Sequence, residues 1–251
     1  MIRWLALVLG LFGAQPILAE QIVLGLSSDQ VAITATFDGS DILIFGAVKR
    51  DAPIPPGPRL EVVITVAGPR TPVTVRHKER RFGIWINTSA VQVDAAPSFY
   101  AVATTAPLAE VISDTEDVRH SITIPRAIRS IGNDVNNSAD FTDALIRIRE
   151  EDGLYLNLEG AVELDEQTLF RTQIALPANL LEGRYDARIY LTRDGKVVDF
   201  FETGIGVRKV GIERWLFNTA HRMPLGYGLL TISMAILAGW AASVAFQGIR
   251  R

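Results

Sequence analysis

Short runs along the chain alternate between apolar and polar residues. Val31, Ile33, Ala35 and Phe37 interleave with Ala32, Thr34 and Thr36. A period of two puts the first set on one buried face of a strand. Ile42 to Val48 is apolar on both faces, as expected of a central strand. Leu60–Val66, Pro72–His77 and Phe82–Asn87 read as further strands; in the last, Phe82, Ile84 and Ile86 face one way and Trp85 the other. The proline-rich stretch from Ala52 to Pro58 cannot donate to a sheet ladder and predicts a loop.

The same period returns after residue 154. Phe170, Thr172, Ile174 and Leu176 alternate with Arg171, Gln173 and Ala175, and Tyr185, Ala187, Ile189 and Leu191 alternate with Asp186, Arg188, Tyr190 and Thr192. Asp194-Gly195 predicts a tight hairpin, since both residues tolerate positive φ. Leu181-Glu182-Gly183-Arg184-Tyr185 resembles the tyrosine corner of Greek-key sandwiches, where the phenol bonds nearby backbone. Between the two β regions the period changes. Phe141, Ala144, Leu145 and Ile148 form the apolar face of a helix over Asp140–Glu151, with Ser138 or Asp140 as cap and Gly153 as terminator. The stretch 106–137 reads as irregular.

These patterns predict a mainly β protein. Immunoglobulin-like β-sandwich lobes would span 20–105 and 154–208, with the irregular segment and the amphipathic helix between them over 106–153. Two separate sandwiches and one continuous fold both satisfy the pattern.

The ends are apolar without alternation. Arg3 precedes a run from Trp4 to Leu18 that is too short for a comfortable span. It reads as a signal peptide over 1–19, cut before Glu20. Near the other end, Gly226 to Phe246 holds no charged residue. At 1.5 Å per residue it measures about 31 Å, the thickness of a bilayer core. A transmembrane helix is expected over 224–247, a juxtamembrane helix over 209–223 and a short tail over 248–251. Trp215, Arg222, Tyr227, Arg250 and Arg251 fall where the membrane meets water. Ala235, Gly239 and Ser243 recur every four residues, a small-residue face that favours close helix packing, either as a self-dimer or against a larger membrane protein.

Basic residues flank the span on both sides, and counting charges alone would place the β region in the cytoplasm. Arg208, Lys209, Arg214 and Arg222 precede it, and Arg250 and Arg251 follow. A leading export signal places the β region in the periplasm and the tail in the cytoplasm, anchored in a bacterial inner membrane. The competing topology is a tail-anchored cytoplasmic protein.

Composition narrows the chemistry. The chain has no cysteine, which removes disulfides, thiolate metal sites and cysteine nucleophiles. A net charge of −3 gives no reason to expect nucleic acid as a partner. His77, His120 and His221 lie far apart, without metal-ligand spacing. The carboxylate clusters Asp114, Glu116, Asp117 and Glu163, Asp165, Glu166 lack the pattern of a calcium loop and read as surface loops. Gly204-Ile205-Gly206 opens like a dinucleotide loop but lacks the third glycine. No Gly-x-Ser-x-Gly elbow or Walker loop occurs. No cofactor, catalytic residue or metal ligand is assigned. The most basic stretch, Arg76-His77-Lys78-Glu79-Arg80-Arg81, reads either as an anion or anionic-lipid contact through Arg76, Arg80 and Arg81, or as a solvated hairpin tip.

Several stretches taken in order resemble one family. They are Phe82-Gly83-Ile84-Trp85-Ile86-Asn87, Pro97-Ser98-Phe99-Tyr100-Ala101-Val102, Asp143-Ala144-Leu145-Ile146-Arg147, Val210-Gly211-Ile212-Glu213-Arg214, Pro224-Leu225-Gly226-Tyr227-Gly228-Leu229-Leu230 and Ala238-Gly239-Trp240. The chain is similar along nearly its whole length to a family of alphaproteobacterial transmembrane proteins of uncharacterised function. The resemblance implies a signal peptide and a C-terminal membrane helix. It also implies a gene neighbourhood shared with sulfite exporters of the TauE/SafE type, and it carries over no catalytic residue. The expected function is that of an interaction or accessory subunit for an inner-membrane partner such as an anion exporter. A periplasmic oxyanion-binding module is the alternative, and a hydrolase comes last.

Overall fold

The computed structural model describes residues 20–26, 30–33, 39–50, 53–54, 57–129, 138–209 and 219–249. In chain order the strands are β1 (Glu20–Leu26), β2 (Gln30–Ile33), β3 (Ser40–Arg50), β4 (Leu60–Ala67), β5 (Arg70–Arg81), β6 (Ile84–Pro97) and β7 (Tyr100–Thr104), followed by β8 (Tyr155–Leu158), β9 (Glu163–Asp165), β10 (Leu169–Leu176), β11 (Gly183–Arg193) and β12 (Lys196–Lys209). The helices are α1 (Leu108–Val111), α2 (Asp114–His120), α3 (Ile124–Ala127), α4 (Ser138–Glu151) and α5 (Pro224–Ile249). The expected signal peptide, most of the juxtamembrane helix, and the strand residues Thr34–Phe37 lie outside the described residues.

One sheet has the order β1-β3-β10-β9 and the other β2-β12-β11-β4-β7-β8. The first follows the A-B-E-D order of an immunoglobulin sandwich, and β12-β11-β4 follows G-F-C. β10 pairs with β3 along its length, and β11 pairs with β4 from Asp186↔Ala67 to Arg193↔Leu60. Each sheet therefore combines strands from both sequence regions, and the described strands form one sandwich. Its core is the set of alternating residues read from the sequence. Phe170, Ile174 and Leu176 face Ile64, Tyr185, Ala187 and Ile189, all buried, together with Ile42, Ile44 and Val48. Each large apolar side chain removed from water in this way stabilises the fold by about 1.5–3 kcal/mol. The corner motif closes as expected, with the Tyr185 hydroxyl donating to the Leu181 carbonyl at 2.9 Å.

Ile42–Val48 departs from expectation. Leu43 and Phe45 are 40% and 43% exposed, so β3 is covered on one face only. It is the six-stranded sheet that is covered on both. Its outer face carries Val63, Tyr100, Val102 and Tyr190 under a second core from Val111, Ile112, Ile122, Ile124, Ala127 and Leu145. This layer explains why Tyr190 and Thr192, expected on a polar face, are buried. It also replaces part of the expected irregular segment with α1–α3, helices too short to show a helical period. The expected carboxylate loops are likewise regular structure. Asp114, Glu116 and Asp117 lie on α2, and Glu163 and Asp165 on β9.

Helix α4 ends as predicted, with Gly153 at φ 68° and Leu154 N–H donating to Arg149. Its buried residue is Leu145, while Ile148 is 47% exposed, so the packed face is narrower than the spacing implied. Tyrosines pin the layer to the sheet. Tyr100 donates to the Ile122 carbonyl at 2.8 Å and Tyr155 to the Pro97 carbonyl at 2.8 Å. Burial pushes the Tyr155 phenol up to about 12 and the Tyr100 phenol up as well, so both act as neutral donors.

Candidate functional site

The sandwich leaves two elements projecting. The first is α5. Proline suits the opening turn of a helix, where its missing N–H is not needed, and Pro224 stands there. Over Pro224–Ser243 the helix is long and apolar enough to cross a membrane, and none of that window is buried against the rest of the chain. Its hydroxyls are spent internally. Thr231 donates to the Gly228 carbonyl at 2.9 Å and Ser233 to the Leu229 carbonyl at 2.8 Å, which lowers the cost of carrying them into hydrocarbon. Ala235, Gly239 and Ser243 lie on the exposed surface of this helix, and a Cβ built on Gly239 meets nothing within 4 Å. Arg222 is exposed on the helical turn 219–222 and Tyr227 is half-buried one turn later. Trp215, Arg250 and Arg251 lie outside the described residues.

The second is the β5–β6 hairpin, inserted between β4 and β7. Its base is built in. Val75, Val91, Val93 and Ala96 are buried, the Ala95 and Arg129 backbones exchange hydrogen bonds of 3.2 and 2.9 Å, and Tyr155 holds Pro97. Beyond Val75 and Val91 the arm stands in solvent. The turn is Phe82-Gly83, at φ 50° and 86°, the geometry of a two-residue type I′ hairpin. Phe82 thus belongs to the turn, not to the strand expected from Phe82 to Asn87. It is fully exposed, and Ile84 and Trp85 are 64% and 68% exposed. A bulky residue in the left-handed region is uncommon and costs about 1–3 kcal/mol.

The basic run predicted from sequence forms the outer part of β5 and leads directly into this turn. Arg80 pairs with Trp85 and Arg81 with Ile84, and directly opposed residues share a face. Arg80 and Arg81 therefore look to opposite sides, with Arg81 held by Glu79 at 3.1 Å. Arg76 is four residues before Arg80, about 13 Å along the strand. The three arginines are spread over a ribbon that also carries Lys78 and an apolar tip.

The titratable groups elsewhere are occupied structurally. His120 Nε2 lies 3.4 Å from Glu116, which also accepts from Arg119 at 2.5 Å, all on one short helix. Its ring packs edge-on against Tyr190. Asp117 fixes the link between α2 and α3 by accepting from Ile122 and Thr123 N–H at 3.1 and 2.8 Å. An open cleft of about 620 Å³ lies between the sheets at the end of the sandwich, lined by Arg59, Glu61, Thr105 and Gln167. There Thr105 donates to Glu61, and Gln167 accepts from Leu60 N–H at 3.2 Å. Among the described residues, no group of three or more His, Asp and Glu side chains is placed to hold a metal ion.

One cluster escapes sequence reasoning altogether. Glu20 accepts from Arg50 Nε at 2.7 Å and from Arg193 at 2.9 and 3.1 Å, with all three side chains largely buried. Burial alone would push the Glu20 carboxyl up. The hydrogen bonds and charges of the two arginines outweigh that and hold it below its ordinary value of 4.5. The exposed tip carries one signal in the sequence, Gly83 between two extended runs.

A family model described as "Putative transmembrane protein (Alph_Pro_TM)" matches residues 21–248. No curated protein matches the chain. The match covers the sandwich, the hairpin and nearly all of α5, and the chain belongs to this family of transmembrane proteins.

Proposed function

We propose that this chain is a single-pass protein of a bacterial inner membrane, with its sandwich in the periplasm. It serves as an interaction or accessory subunit for a membrane partner, such as an anion exporter of the kind the family resemblance suggests. The observation that carries this reading is Gly239. Glycine within a helix costs about 1 kcal/mol relative to alanine. Among the described residues, nothing occupies the space that its missing side chain leaves. Its smallness therefore serves a helix from outside, approaching across Ala235 and Gly239.

Co-purification from membranes in mild detergent, followed by mass spectrometry, tests the proposal. The native protein brings down a polytopic membrane protein, and Gly239→Ile lowers that recovery at least tenfold while leaving the sandwich folded. Recovery of the lone chain in both cases defeats the proposal. The location is checked separately. A phosphatase reporter fused after Arg208 is expected to be active, and activity confined to a cytosolic reporter at the same site would reverse the topology.

A further inference from the structure

We infer that the tip of the β5–β6 hairpin docks on the anionic surface of the bilayer that α5 crosses, as a second, reversible membrane contact. The chemistry of the tip is the first argument. Phe82, Ile84 and Trp85 are exposed together at the end of a two-stranded ribbon whose base is fixed in the second core. Behind them stand Arg76, Lys78, Arg80 and Arg81, against Glu79 as the single carboxylate of the arm. Aromatic rings ahead of a basic collar match a bilayer edge, where rings sit at the headgroup level and cations meet anionic lipid. The collar is positive on a chain whose net charge is −3. Because the arginines face both sides of the ribbon, they suit a charged plane better than one small ion.

Placement is the second argument. Asp186 pairs with both Ala67 and Gly204, and Ala67 pairs with Tyr100. The hairpin base at Arg70 and Pro97 therefore sits at the end of the sheet where β12 runs out toward α5. Ten Cα steps join Lys209 to Thr219, a reach of at most about 36 Å. The hairpin from Arg70 to Arg81 is about 37 Å long. The ribbon is long enough to meet the surface to which its own domain is tethered.

The chain has no cysteine, so Ile84→Cys puts a single polarity-sensitive fluorophore at the tip of the full-length protein. In vesicles of phosphatidylglycerol and phosphatidylethanolamine, its emission should shift to the blue and be quenched by lipids spin-labelled near the headgroup. Vesicles of pure phosphatidylcholine should show neither. Each basic residue near an anionic surface strengthens attachment about fivefold, so Arg80→Gln with Arg81→Gln should lower the docked-to-free ratio about 25-fold. Salt at about 0.5 M should weaken docking as well. A fluorophore at Val198→Cys, exposed beside the Asp194-Gly195 turn, should report water throughout. Equal tip emission in anionic and neutral vesicles overturns the inference. So does protection seen only in native membranes, which would make the occupant a protein.

Discussion

Replacing Glu20 by alanine is expected to destabilise the sandwich by about 3–5 kcal/mol, the cost of leaving buried charge without its partner. Arg50 and Arg193 approach this one carboxylate from two strands, β3 and β11, which lie in different sheets. Without it two guanidiniums remain largely buried. They keep the Thr168 hydroxyl and the Gln167 and Pro58 carbonyls as acceptors, but no carboxylate partner among the described residues. For a chain of this size the loss corresponds to roughly 10 °C in Tm by thermal unfolding. Replacing all three residues with apolar ones should recover most of it, because the desolvation of the charges disappears along with their attraction. The pH dependence has a definite sign. The Glu20 carboxyl is lowered in the folded state, so its contribution is complete above its unfolded value of 4.5 and is lost as pH falls through the lower folded value. The native protein should lose stability on acidification through this window, and Glu20→Ala should lose less. A variant within 1 kcal/mol of the native protein would show that the cluster is neutral.

A charge in the middle of α5 is expected to have an effect of similar size on membrane insertion. Leu237 lies well inside the apolar window and is 62% exposed, without cover from the described residues. Exchanging leucine for aspartate near the centre of a span shifts the insertion free energy by about 3–4 kcal/mol, several hundredfold in the equilibrium. Alkaline extraction of membranes should leave the native protein in the pellet and release a substantial part of Leu237→Asp. Leu225→Asp, in the first turn and near the interface, should stay with the membrane. If Leu237→Asp partitions as the native protein does, the helix is not surrounded by hydrocarbon.

Local rules carried the sequence reading as far as faces and turns. The buried residues of β10 and the inner face of β11 follow directly from a period of two, and Asp194-Gly195 takes the positive φ expected of it. The apolar span of α5 is legible because it needs no partner within the chain. Pairing was not legible. Nothing near Phe170 says that it lies beside Gly46, and nothing near Glu20 says that Arg193 is its neighbour. The second core hid behind short helices, and it changed which face of β11 counts as polar. Phe82 reads as a strand residue because it continues the alternation of Ile84 and Ile86, but its left-handed backbone is set by the turn and not by its own preference.

The interleaving of early and late strands governs how this protein can be made. A nascent chain that has reached only Thr105 holds β3 without β10 and β4 without β11, so each sheet lacks the strand that fills its middle. Ordering must wait until residue 209 or so has emerged. Until then the apolar faces of the early strands stay uncovered, and the late closure of long loops makes the final collapse slow.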